Sequence, residues 1–495
     1  MKYRLLIIFV VNLLCCCSKN AQAGDVNIDN KERADALRFE TTDSRLQESF
    51  DWACDMAMSY TRGKKYNHPV GLWYEAALPG RGAFCMRDAS HQSIGAEVLG
   101  LSAFNLNMMG KFAENISDSK DWCSWWEINW QGKPAPADYL NDKEFWYNLN
   151  ANFDVMQACL RLYKWTGDKT YLDSPVFLEF YSRSINDYVE RWQLSADGIM
   201  SRPRYMNTPD NFNEWENFHT CRGLASYVEN FRNLTVSADL IASIYAGFRA
   251  CSEIYSLRGE EQKSIDCASA AEQYRLLLEN RWWSDELGRY HNFWTSDKEF
   301  HKGEGTSYIL WFGIAQNPDR IQASIKELQS KDWNVETLSY FPVIYCRYGY
   351  EKAAYNQIVS LPHKERCSYP EVSYGVIEGV VCGLMGVEPD ASNHDLTTLS
   401  RFGSSEMDMI ALDGISVLGG KVNLQHRGRT YSALKSFVET PFVWKPSFEG
   451  EYKELFLNGK AVEANQYSCL DGKIYSYIEV ELLYGDCVEV ATSNP

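Results

Sequence analysis

From about residue 44 to about residue 385, apolar residues recur at the three-to-four-residue spacing of amphipathic helices, in segments separated by polar loops. LQESFDWACDMAMSY, residues 46–60, is the first. Residues 90–112 are apolar nearly all round, which predicts one long buried inner helix. Residues 145–165 follow, closed by the turn Thr166-Gly167-Asp168, and residues 175–192 open with a proline suited to a first helical turn. Residues 237–257 and 262–283 form a pair joined by Arg258-Gly259, and segments 308–315, 318–328, 335–348, 351–359 and 372–385 complete the series. Helices joined by short turns must pack antiparallel, so the pattern predicts helical hairpins with the less polar member inside. An α-solenoid would share this spacing, but the loops are long, irregular and rich in indoles, and no consensus repeat is present.

Beyond residue 385 the pattern changes. Residues 388–407 are polar and read as a linker, followed by short alternating runs such as ISVLGGKVNLQHRG and KIYSYIEVELLYGDCVEVAT. The pairs Asp413-Gly414, Asn458-Gly459 and Asp471-Gly472 between runs are a hairpin signature. The expected organisation is mainly α: a helical domain over 24–390, a linker over 391–409, and a small β-sandwich over 410–495 that stabilises the helices.

Residues 1–23 read as a leader. Lys2 and Arg4 precede an apolar stretch too short to span a bilayer, and Ala21-Gln22-Ala23 offers a cleavage site. The alternative is a lipoprotein signal with Cys17 as the lipidated residue, which would make a lipid anchor the sole membrane attachment. Either predicts export to the periplasm or cell surface. The net charge of −17, deepened by the loss of Lys2, Arg4 and Lys19, argues against nucleic acid and anionic membrane as partners. Export permits disulfides, but the cysteines after Cys17 are scattered, several within apolar helical runs. That fits small buried hydrophobes, with room for one or two bridges.

The loops KDWCSWWEINW, NFNEWENFHTCRG and RCSYPEVSYG gather indoles and carboxylates. Aromatic faces pack on the C–H side of a pyranose, and carboxylates accept its hydroxyls and move protons. Such loops at hairpin ends predict an oligosaccharide or polysaccharide partner. HExxH, Walker, GxGxxG and GxSxG motifs are absent, and the histidines lack zinc spacing, so no cofactor or metal is expected.

Three stretches resemble the six-hairpin glycosidases, the broad group of glucoamylases, trehalases, debranching glucosidases and α-L-rhamnosidases. FCMRDASHQS, residues 84–93, resembles the aromatic-x-Arg-Asp motif that opens an inner helix, although Met86 stands where many relatives carry an aromatic residue. RGLASYVENF and the helical pair after it resemble the stretch that carries the catalytic acid, and CSYPEVSYGVIEG resembles the last barrel helix with the catalytic base before it. The resemblance implies an (α/α)6 barrel and an exo-acting, inverting glycoside hydrolase. Glu229 would protonate the leaving oxygen, and Glu371 would activate a water held between carboxyls about 6.5–9.5 Å apart. Arg87 and Asp88 would hold the terminal sugar, with Asp88 otherwise an N-cap. His91 is a pocket residue or a buried, hydrogen-bonded one. Trp125, Trp126, Glu127, Glu214, Glu216 and Glu336 are further candidates for the pocket wall. An unsaturated-uronyl hydrolase or polysaccharide lyase on the same barrel, or a non-catalytic glycan-binding protein, are the alternatives.

Overall fold

The computed structural model describes residues 37–63, 66–203, 221–228 and 233–494. The leader and Glu214, Glu216 and Glu229 lie outside the described residues.

Helix boundaries follow local chemistry. Asp43 caps α1 (Ser44–Ser59), its carboxylate accepting from the amides of Arg45 and Leu46. Next come α2 (Met86–Val98), α3 (Ser102–Glu114) and α4 (Ala151–Thr166), the last ended by Gly167 at φ 78°. Then follow α5 (Pro175–Arg183), α6 (Ala238–Leu257), α7 (Glu261–Leu277) and α8 (Thr306–Trp311). Proline starts α9 (Pro318–Gln329), and α10 (Val335–Ser339), α11 (Phe341–Arg347), α12 (Glu351–Ser360) and α13 (Pro370–Glu378) complete the helical part.

Two segments expected as single helices are each two. Residues 90–112 fold back at Gly100, whose φ of 73° admits the reversal, and the Leu101 amide closes the turn onto the Ala96 carbonyl at 3.0 Å. Their uniform apolarity masks an inner helix running into the next one. Residues 335–348 break around Tyr340, just before Pro342, which has no amide hydrogen to donate.

The helices form two layers. Helix α2 packs on α4, α4 on α6, α6 on α8 and α8 on α11, while α13 packs on α10, on α11 and back on α2. Around these lie α1 on α13, α3 on α2, α7 on α6, α9 on α8 and α12 on α11. Burial separates the layers. Every residue of α2 except Arg87 is buried, whereas α7 buries only Cys267, Ala271 and Tyr274. Glycines set the closest approaches. A Cβ on Gly95 would stand 2.5 Å from the Tyr374 carbonyl oxygen, and one on Gly375 2.6 Å from that of Ser339, so α13 lies nearly backbone to backbone with α2 and α10.

The C-terminal part is built on two sheets. The seven-stranded one runs in the order Arg38–Thr41, Met409–Val417, Gly420–Arg427, Tyr431–Phe437, Cys487–Ala491, Glu454–Leu457, Lys460–Glu463. Its first strand comes from the N-terminal side of the helices, an origin the sequence reading did not anticipate, with Arg38 opposite Asp413. The segment read as a linker contributes Asp395–Leu399 to the six-stranded sheet, parallel to Phe442–Glu449, with Leu396, Thr398 and Leu399 buried. Asp413-Gly414, expected as a hairpin turn, is an irregularity within Met409–Val417, and the reversal falls at Leu418-Gly419. Asn458-Gly459 does turn its hairpin, with φ of 48° and 77°.

Residues from Leu37 onward form one compact unit. The Trp165 indole donates to the Ser416 carbonyl at 2.6 Å, and Lys473 of the β part pairs with Glu351 of α12 at 2.8 Å. Among the described residues the cysteines are free thiols, most of them buried, and no disulfide is present.

Candidate active site

Five inner helices carry an acid in the first turn: Asp88 in α2, Asp154 in α4, Asp239 in α6, Glu336 in α10 and Glu371 in α13. In a hairpin fold the inner helices run the same way, so these carboxyls gather at one end. The partial positive charge of a helix N-terminus favours an anion there. The sequence reading named Asp88, Glu336 and Glu371 and missed Asp154 and Asp239. For Asp239 the available signal was an acid just after the expected helix start at 237; Asp154 lay well inside the expected segment 145–165, because α4 begins only at Ala151.

Asp88 is not an N-cap. Cys85 holds that position and its side chain makes no capping bond, which leaves the Asp88 carboxyl for other partners. Arg87 Nε donates to Asp88 Oδ1 at 3.0 Å. The guanidinium also lies 5.8 Å from the Tyr227 ring and 6.0 Å from the Trp126 ring. Burial works against the charge on Arg87, but Asp88, followed by Tyr308, holds its pKa above the ordinary arginine range.

Glu371 is buried, one residue after Pro370 opens α13. Burial first, then the charge of Asp88, pushes its carboxyl well above the ordinary range, with Arg87 pulling the other way; it shares a hydrogen bond with Asp88. The direct packing of α13 on α2 brings the two acids together. Glu336 adds to the same field, and its Oε1 is 2.8 Å from Arg366 Nη2.

His91 stands one turn after Arg87. Its Nε2 is 3.6 Å from Asp154 Oδ1, and the rings of Tyr227, Tyr308, Trp311, Phe312 and Tyr340 surround it. The Tyr227 hydroxyl donates to Asp154 Oδ1, and its ring stacks on Tyr308 at 4.1 Å. Asp239 fixes the turn carrying Tyr227. Its carboxyl accepts from Ser226 Oγ at 2.8 Å, from Asn150 Nδ2 at 3.2 Å, from Ser237 Oγ, and from the Tyr227 amide. Burial raises Asp239 to about 6, and these donors oppose the rise.

Among the described residues several buried polar atoms here find no hydrogen-bond partner: both ring nitrogens of His91, Asp154 Oδ2, Trp311 Nε1 and Glu336 Oε2. Buried polar groups are normally satisfied, so these atoms are suited to the hydroxyls of a ligand or to water.

The tryptophan-rich loop divides. Trp126 is buried, with its ring edge-on to Tyr147 and facing Arg87. Trp125 is half-buried between Lys120 and Tyr139. Glu127 lies on a short strand opposite Cys85, its Oε1 3.0 Å from Arg81 Nη1. Glu127 thus anchors this loop to Arg81. Tyr227, Tyr308, Trp311 and Tyr340, which line the site, were not singled out in the sequence, because they look like any core aromatic.

No protein-family profile and no curated protein matches the sequence. Among solved structures, the α-L-rhamnosidase from Dictyoglumus thermophilum has a TM-score of 0.56 at 12% identity, covering 92% of this chain and 50% of that one. The GH78 family rhamnosidase of Bacillus sp. GL1 has a TM-score of 0.55 at 10% identity, covering 82% and 41%. The α-L-rhamnosidase from Aspergillus terreus has a TM-score of 0.51 at 12% identity, covering 91% and 50%. The chain therefore spans half or less of the length of each of these proteins. At such identities the likeness is one of fold, and the fold is similar to that of the six-hairpin glycosidases.

Proposed function

We propose that this chain is an exported glycoside hydrolase that removes a terminal sugar from an oligosaccharide or polysaccharide, with inversion, inside a closed barrel of six helical hairpins. The cyclic packing of inner helices, α2 through α13 and back to α2, supports the barrel. The unpartnered polar atoms beside stacked aromatic rings support a sugar ligand.

The observation that carries the reading is the buried Asp88–Glu371 pair with Arg87 alongside. A carboxyl that keeps its proton at neutral pH suits a general acid. Glu371 thus takes the role of proton donor to the leaving oxygen, and Glu229 becomes the base that activates water. This reverses the roles first expected. Asp88, paired with Arg87, accepts sugar hydroxyls, while His91 and Asp154 line the floor.

A screen of terminal glycosides, with product anomers followed by NMR, tests the activity and the inversion. Glu371→Gln is the sharper test. It should cut turnover of natural glycosides about a hundredfold or more. A dinitrophenyl glycoside, whose leaving group needs no proton, should lose far less. Equal losses on both substrates would remove Glu371 from the donor role, and undiminished turnover would remove it from the chemistry.

A further inference from the structure

Carboxyl groups gather at the starts of the inner helices, and the arginines around them are already engaged by the protein. Arg87 pairs with Asp88 at 3.0 Å, and Arg366 pairs with Glu336 at 2.8 Å. Arg81 pairs with Glu127 of the tryptophan-rich loop at 3.0 Å. Arg161, whose guanidinium lies 5.3 Å from the Trp311 ring, pairs with Glu378. A ligand carboxylate entering this site would have to break one of these pairs to find a cation.

Glu336 and Arg366 show the arrangement most clearly. Arg366 lies on the loop into α13 with its side chain half exposed. Its guanidinium lies over the Tyr369 ring at 4.3 Å and donates to the Tyr369 hydroxyl, and the same Nη2 meets Glu336 Oε1. The other oxygen of Glu336, Oε2, is buried and finds no hydrogen-bond partner among the described residues, and neither does Asp154 Oδ2. A carboxylate oxygen only accepts, so both atoms call for a donor. A sugar hydroxyl supplies one. A uronic acid brings a carboxylate, which adds acceptors and a like charge where donors are wanted.

We infer that the site takes neutral terminal sugars and rejects uronic acids, and that Glu336 sets this preference by engaging Arg366. The inference rests on the hydrolase reading and names its substrate class. Glu336 then has two tasks: Oε1 neutralises the guanidinium, and Oε2 accepts a hydroxyl of the ligand.

The test compares kcat/KM on neutral aryl glycosides (gluco-, galacto-, manno-, xylo- and rhamno-) with that on aryl glucuronides, galacturonides and mannuronides. The best neutral substrate should exceed the best uronide about a hundredfold or more. Glu336→Gln removes a negative charge and frees the guanidinium, so this ratio should narrow about tenfold. Arg366→Gln leaves Glu336 without its cation, so the ratio should widen. Damage to packing alone would move the two variants in the same direction. Uronides cleaved as fast as neutral glycosides, a ratio unmoved by Glu336→Gln, or shifts of the same sign in both variants would overturn the inference and leave the hydrolase reading intact. Calorimetric titration of the wild type with the free neutral sugars and with glucuronate and galacturonate separates the two ideas. Selective binding of a neutral sugar by a protein that cleaves none of the panel keeps the preference and removes the hydrolase. Binding of neither series, with no cleavage, removes both.

Discussion

Replacing Glu97 by glutamine should make the protein more stable at neutral and alkaline pH and leave it nearly unchanged in acid. Glu97 lies near the C-terminal end of α2, the helix that begins with Arg87 and Asp88, and it is fully buried. Asn105 Nδ2 donates to it at 2.7 Å, and Ser102 Oγ donates to its other oxygen. Asn105 in turn accepts from the Tyr74 hydroxyl at 2.6 Å, so the carboxyl ends a chain of satisfied groups. Burial nevertheless dominates and raises Glu97 from 4.5 to about 7. The folded state therefore holds a proton that the unfolded chain releases earlier. Below 4.5 both states are protonated and nothing is lost. As the pH rises from 4.5 to about 7, only the unfolded chain ionises, and stability falls. Each pH step across that interval costs about 1.4 kcal/mol, so the full loss is on the order of 3 kcal/mol. Glutamine stays neutral throughout. Its carbonyl can accept from Asn105, and the Ser102 hydroxyl can rotate to accept from its amide. Urea unfolding followed by tryptophan fluorescence should give equal midpoints for wild type and Glu97→Gln at about pH 4, and a gain of about 2–3 kcal/mol for the variant at about pH 8. A difference that does not vary with pH, or a variant weaker at every pH, would refute the reasoning.

His426 predicts the opposite limb. Burial lowers it from 6.5 to about 4, so stability present above 6.5 is lost as the pH falls toward 4, by up to about 3 kcal/mol. Its ring bonds to Ser432 Oγ at 2.8 Å and the Met385 carbonyl at 3.1 Å. Acid titration of His426→Gln, watched by circular dichroism, should show this loss abolished. Gly95→Ala should destabilise by about 1–3 kcal/mol, because its methyl would press on the Tyr374 carbonyl, and it should also shift Glu371 relative to Asp88. Gly110→Ala, in the neighbouring α3 with nothing within 4 Å of the new methyl, should instead stabilise by about 0.5–1 kcal/mol. Paired melting curves check both; similar effects from the two would mean the α2–α13 approach does not depend on glycine.

The helical hairpins and most C-terminal strands were legible because each leaves a local periodicity. What was illegible depends on contacts between distant segments. Gly100 was hidden because the residues on both sides face the core, so apolarity continued through the turn. The strand Arg38–Thr41 could not be assigned because its partner lies beyond residue 400, and four residues carry little alternation. At the site, Arg87, Asp88 and Glu371 stood out through their motifs. Asp154 and Asp239 did not, because an acid at a helix start reads as ordinary helix chemistry until the helices are known to be inner ones. Tyr227 and Tyr308 were similarly silent, since stacking at 4.1 Å across a long sequence gap has no sequence signature.

Asp239 and Glu371 show how one architecture shifts two acids at the same kind of position to different extents. Both are buried first-turn acids on inner helices, so the helix terminus favours the anion in each to a similar degree. Four donors converge on Asp239: two serine hydroxyls, an asparagine amide and a backbone amide. With no neighbouring carboxylate among its main influences, it rises only to about 6 despite complete burial. Among the described residues Glu371 has no such set of donors; it faces Asp88 and Glu336, and the opposing pull comes from Arg87, which Asp88 already engages. The balance therefore turns on donor count and neighbouring charge rather than on depth. Donor-rich Asp239 serves to fix the Tyr227 turn. Glu371, set against a second carboxylate, is pushed well above the ordinary carboxylate range on the helix that approaches both α2 and α10 nearly backbone to backbone.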